Sequence, residues 1–121
     1  MMKVFVALGS IMAFLGVGVG AFGAHTLKGV LGDQADVYET GVHYHLIHAV
    51  GIVLIGILVE KFPGALMNWA GWLLFIGILL FSGSLYVLSV TKVSVLGAIT
   101  PIGGVAFLAG WLLVVIAVMK A

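Results

Sequence analysis

The sequence predicts an all-α membrane protein in which four transmembrane helices form an up-down bundle. Three observations lead to this prediction. The chain is 64% hydrophobic and 7% charged, with a mean hydropathy of +1.36, whereas soluble domains carry about 25% charged residues. Charged residues fall between four apolar stretches, and each stretch can cross about 30 Å of hydrocarbon as a helix. Eighteen glycines suit close helix packing in lipid.

The four predicted spans cover about residues 4–25, 40–60, 66–90 and 99–119, within one membrane domain of residues 1–121. The first could be read as a signal peptide. Its apolar run of about 21 residues exceeds the usual 7–15, so we expect it to stay as a helix. Phe62–Pro63–Gly64 predicts a tight turn, and Thr100–Pro101 has the order of residues that opens a helix.

Lysine positions predict the orientation of the bundle. Four spans put both termini on one side of the membrane. Lys3, Lys61 and Lys120 share that side, and Lys28 and Lys92 lie on the other. Lysine excess marks the cytoplasmic side. We therefore predict cytoplasmic termini (N-in, C-in) in a bacterial plasma (inner) membrane.

Composition excludes several functional classes. The absence of cysteine excludes disulfides, iron–sulfur clusters and thiolate zinc sites. A net charge of +1 gives no basic face for nucleic acid. Glu60 lies at a helix end and no other acid lies within a span, which argues against proton exchange through a mid-membrane carboxylate. No catalytic residue and no cofactor are predicted.

Small residues form a stripe along the first span, where they permit close helix contact. The stripe comprises Gly9, Ala13, Gly16 and Gly20. Packing against this chain's own helices is the favoured interpretation. The alternative is a homo-oligomer interface.

Polar residues converge in one half of the bundle, predicted to be the outer half. Threading the spans brings together His25, Tyr44, His48, Ser82, Ser84, Tyr86, Thr100, Gly103 and Gly104. An inward polar residue in a membrane helix suggests a functional site. We expect either structural hydrogen bonds or the binding of a lipid, a small molecule or a partner. The glycine-containing start of the fourth span also suits a lipid headgroup.

A helical wheel separates the histidines of "GVHYHLIHA" (residues 41–49). His48 and Tyr44 fall on the arc that faces the bundle, and His43 falls on the aliphatic arc that faces lipid. His45 lies near the rim, which leaves its orientation open. A metal or haem site with His25 and His48 as ligands is an alternative, because neutral imidazole is a common ligand. A small oligomeric transporter or pore is a further alternative.

Five sequence pieces occur together in one family. They are "GAFGAH" (20–25), "Y..G..Y...HA" (38–49), "FSGSLY" (81–86), "TPIGG" (100–104) and "GW" (110–111). In this order they resemble the YgdD/YwdK-like small bacterial membrane proteins, a domain-of-unknown-function family. The resemblance covers nearly the whole chain. It implies a four-span inner-membrane protein without an established activity, and it carries over no catalytic residue.

Overall fold

The computed structural model describes residues 1–121 and contains helices but no strands. The helices are α1 (Met2–His25), α2 (Lys28–Leu31), α3 (Ala35–Lys61), α4 (Ala65–Gly77), α5 (Gly83–Thr91) and α6 (Thr100–Lys120). One π-helical turn, Ile78–Ser82, joins α4 to α5, so the two make a single rod. Short 3₁₀ turns cover Gly32–Gln34 and Ser94–Ala98.

Four helical segments are long and apolar enough to cross a membrane, which confirms the predicted fold class. These segments are Met2–His25, Lys28–Lys61, Ala65–Thr91 and Ser94–Lys120. The second begins earlier than the predicted residue 40, because α3 starts at Ala35 and carries Asp36 and Glu39 in its first turns. Acidic residues near a helix N-terminus are favourable. They extend the helix beyond its apolar stretch.

The central layer consists of α3 and the α4–α5 rod, with α1 packed on α3 and α6 packed on the rod. Half of the residues in the most apolar stretch of Lys28–Lys61 are buried, against 17% in Ser94–Lys120. Both termini lie with the Phe62–Gly64 turn at one end, called here the terminal end. The opposite end, formed by residues 26–34 and 92–99, is called the distal end. Which end faces the cytoplasm stays a prediction.

Apolar side chains fill the space between the helices. Phe5 of α1 packs edge-on against Trp72, and a Cβ at Gly71 would lie 2.5 Å from the Phe5 ring. Ile52, Ile55 and Leu74 are fully buried beside it. This core extends from the terminal end toward the middle of the bundle. The buried polar residues lie beyond it, toward the distal end.

Candidate functional site

The buried face of α3 carries two histidines. His45 and His48 are 4% and 5% exposed, whereas His43 is exposed. The structure thus places His48 and His43 as the wheel predicted. It also buries His45, whose orientation the sequence left open. Tyr44 differs from the prediction, since it is 43% exposed. Its ring lies at the α6 side of α3, with centroid distances of 6.0 Å to His48 and 4.6 Å to Phe81.

His45 connects three helices. Its Nε2 lies 2.8 Å from the Met12 carbonyl oxygen of α1, and a carbonyl only accepts, so Nε2 carries the proton. In the neutral ring Nδ1 is then an acceptor, and the Tyr86 hydroxyl of α5 donates to it over 2.7 Å. Both nitrogens of the imidazole are therefore satisfied inside the bundle.

His48 connects α3 to α6 in the opposite tautomer. Its Nδ1 donates to the Tyr44 carbonyl oxygen at 2.7 Å. The Trp111 indole N–H, which can only donate, lies 3.0 Å from Nε2. The ring also stacks on Phe107 at a centroid distance of 3.6 Å. Trp111 was not predicted from the sequence as a member of this site, although the "GW" piece contains it.

The polar residues of α4–α5 also bond within the chain. Ser82 donates to the Gly41 carbonyl oxygen at 2.7 Å, and Ser84 Oγ lies 2.6 Å from Thr100 Oγ1. A Cβ at Gly103 would lie 2.8 Å from the Phe81 Cα. The start of α6 is therefore a helix contact, and Gly103 is covered by the π-helical turn. Gly104 packs more loosely beside it.

The structure does not bring His25 to these residues. His25 is exposed at the end of α1, and its side chain makes no hydrogen bond. His48 lies near the level of Met12, because α1 and α3 are antiparallel and Gly9 faces Ala49. His25 is 13 residues beyond Met12 (25 − 12), or about 20 Å at 1.5 Å per residue. One metal ion or haem iron cannot reach both histidines. No cluster of three His, Asp or Glu side chains is placed to hold a metal ion.

The small-residue stripe of α1 faces α3. A Cβ at Gly9 would lie 2.7 Å from the Ala49 carbonyl oxygen, and one at Gly16 would lie 2.6 Å from the Leu46 side chain. Gly20 lies against Val42 in the same way, and Ala13 is half-buried. The glycines of the stripe are occupied by contacts within one chain.

A cleft of about 260 Å³ opens at the distal end between α1, α2 and α3, and we call it the distal cleft. Its lining consists of Gly20, Gly23, Ala24, Lys28, Leu31, Ala35, Tyr38, Glu39, Val42 and His43. Lys28, Glu39 and His43 are exposed, and no hydrogen bond or ion pair within the chain engages their side chains. The sequence signal for this site was the i, i+4 spacing of Glu39 and His43, which puts both on one helix face.

Comparison with known proteins gives a family. The family model described as "Protein of unknown function (DUF423)" matches residues 19–104. The UPF0382 membrane protein YwdK of Bacillus subtilis is 54% identical over 121 residues, covering 98% of each chain. UPF0382 membrane proteins of Staphylococcus epidermidis and Staphylococcus haemolyticus are 52% and 48% identical over 120 residues, also covering 98% of each chain.

No solved structure matches the chain. The relatives are named membrane proteins, and four helices of this chain are suited to spanning a bilayer. The resemblance in the sequence pieces is thereby confirmed. The chain belongs to the DUF423 (UPF0382) family of multi-pass bacterial membrane proteins.

Proposed function

We propose that the chain is a non-enzymatic membrane protein that binds the headgroup of a membrane phospholipid in the distal cleft. One observation carries this proposal. Lys28, Glu39 and His43 line the cleft without a partner in the chain. The buried histidines and serines, by contrast, all have partners. The side chains that are free to bind a ligand therefore line the cleft, whereas the buried histidines and serines bind other side chains or the backbone of the chain.

The position of the cleft supports a headgroup as the ligand. It lies beside the first turns of α3, from Ala35 to His43, where the apolar stretch of this helix begins near Gly41. Polar headgroups occupy this level of a bilayer, and exposed lysines there attract lipid phosphates by about 1 kcal/mol each. Gly20, Gly23 and Ala24 line the α1 side of the cleft, where Gly20 packs against Val42 and Gly23 against the Tyr38 ring, so α1 and α3 lie close together at its base.

The alternative functions have less support. Both ring nitrogens of His48 take part in hydrogen bonds, so no lone pair remains for a metal or haem iron. Ile52, Ile55, Met67 and Leu74 are fully buried between the central helices. A single chain therefore offers no polar path along its axis for a transported solute.

Lipid binding can be tested with purified protein in detergent. Short-chain phospholipids are titrated in, and bound copies are counted by native mass spectrometry. We expect Lys28→Gln to weaken phospholipid binding about fivefold, the equivalent of about 1 kcal/mol. The matched control is Lys3→Gln at the terminal end, which should bind like the unmodified protein. Equal binding by both variants would exclude the distal cleft as the site.

A further inference from the structure

The distal cleft carries one cation and one anion that do not pair with each other. Lys28 lies on α2 and Glu39 on α3, and both side chains line the same space. Their charged atoms are too far apart to form an ion pair. The formal charges of Lys28 and Glu39 cancel. A ligand that matches this pattern carries both signs within its own headgroup.

We propose that the distal cleft selects a phosphoethanolamine headgroup, which is that of phosphatidylethanolamine. This inference rests on the phospholipid site proposed above. The lipid phosphate binds between Lys28 and His43, and the ammonium group binds Glu39. Such charge-assisted hydrogen bonds are the stronger ones in proteins.

The spacing on α3 fits a headgroup that lies along the helix. Glu39 and His43 are four residues apart on one face, or about 6 Å along the axis. Glu39 is nearer the start of α3 and hence nearer water, and His43 is one turn deeper. A headgroup phosphate at the level of His43 leaves its ethanolamine arm directed toward Glu39. The acyl chains then continue from the phosphate toward the hydrocarbon.

The same residues discriminate against other common headgroups. A glycerol headgroup has no cation, so Glu39 would face a phosphate without compensation, which is unfavourable. A choline headgroup has a cation but no N–H to donate to Glu39. Quaternary ammonium groups are bound best by several aromatic faces, and Tyr38 is the one Phe, Tyr or Trp that lines the cleft.

The cleft is held in shape by contacts below it. The Tyr38 hydroxyl donates to the Val19 carbonyl oxygen of α1, and Leu31 of α2 packs against Tyr38 and Val42. Leu31 is 2% exposed, so α2 is anchored even though it has only four residues. The helix segments that carry Lys28 and Glu39 are consequently held beside the cleft before a ligand binds.

The experiment compares phosphatidylethanolamine, phosphatidylcholine and phosphatidylglycerol with identical short acyl chains. Each is titrated into the full-length protein in neutral detergent, and dissociation constants come from native mass spectrometry. We expect about three- to fivefold tighter binding of phosphatidylethanolamine than of either other lipid. Glu39→Gln should remove this preference. The control Asp36→Asn alters an exposed carboxylate of the same helix that does not line the cleft, and should keep the preference.

Several outcomes would overturn the inference. Equal binding of the three lipids, or a preference that survives in Glu39→Gln, would contradict selection by Glu39 but leave a phospholipid site in place. Absence of binding by every lipid would contradict the proposed function as well. Water-soluble phosphoethanolamine is the last ligand tested. Binding of that molecule as tight as binding of the lipid would assign the cleft to a soluble phosphate compound instead.

Discussion

The Tyr86 hydroxyl donates a 2.7 Å hydrogen bond to His45 Nδ1, and this bond joins α5 to α3 inside the bundle. The same imidazole donates from Nε2 to the Met12 carbonyl oxygen of α1. One side chain thus connects the outer helix α1 to both central segments. In hydrocarbon, the alternative to such bonds is an unsatisfied polar group, which costs free energy.

Removing this bond should destabilise the fold. Tyr86→Phe keeps the ring and leaves His45 Nδ1 without a donor. We expect it to lower the free energy of unfolding by about 0.6–1.7 kcal/mol, the range for hydrogen bonds between membrane helices. The measurement is unfolding by denaturing detergent in mixed micelles. A double-mutant cycle with His45→Leu isolates the interaction energy between the Tyr86 and His45 side chains. His43→Leu, at an exposed position, serves as the control. Additive effects in the cycle would contradict the assigned bond.

The indole of Trp111 should contribute through its N–H. Trp111→Phe keeps an aromatic ring near His48 but removes the donor to His48 Nε2. We expect a loss of about 0.6–1.7 kcal/mol in the free energy of unfolding, measured as above. Trp69→Phe is the matched control, because Trp69 is 59% exposed and makes no hydrogen bond. An equal loss in both variants would show that ring size, and not the bond, matters.

Helical periodicity predicts much of the α3 face but misjudges its centre. Tyr44 and His45 lie 100° apart on the wheel, and only one of them can face the middle of the buried arc. On the wheel, Val53 and Leu46 fall on the lipid side. The glycine stripe of α1 packs against that same side. This contact moves the centre of the buried arc toward His45 and leaves Tyr44 at the edge.

Other features depend on contacts between segments that are distant in the sequence. Nothing local in "ILLFS" (78–82) distinguishes a π-helical turn from an α-helical one. The turn occurs where Gly103 lets α6 approach the Phe81 backbone. The distal cleft likewise exists because Leu31 anchors α2 beside Tyr38. The four membrane spans, by contrast, could be predicted from the sequence because the composition and length of each apolar stretch are enough to identify them.

The α1–α3 contact predicts that alanine substitutions at two glycines of α1 have different effects on stability. A Cβ at Gly9 would meet the backbone at Ala49 and Val53, both at 2.7 Å, so the two helices would have to separate. We expect Gly9→Ala to lower the free energy of unfolding by about 1–3 kcal/mol. A Cβ at Gly18 of the same helix would have no neighbouring atom within 4 Å. Gly18→Ala should therefore be neutral or stabilising by up to about 1 kcal/mol.

The Gly9→Ala variant also tests the alternative that the small-residue stripe of α1 is a homo-oligomer interface. If Gly9→Ala changed the mass of the particle in detergent without changing its unfolding, the stripe would act between chains. Size-exclusion chromatography with light scattering measures that mass. The contacts of Gly9 and Gly16 with α3 lead us to expect an unchanged mass and earlier unfolding.

The two glycines at the start of α6 should differ sharply, although they are adjacent in the sequence. A Cβ at Gly103 would lie 2.8 Å from the Phe81 Cα, whereas the nearest atom to one at Gly104 is a Phe81 ring carbon at 3.8 Å. A backbone neighbour cannot move aside as a side chain can, so we expect Gly103→Ala to cost about 1–3 kcal/mol. Gly104→Ala should be near neutral. Detergent unfolding compares the two variants. Equal tolerance of both would mean that α6 does not pack on the π-helical turn, and that the start of α6 is open to a ligand after all.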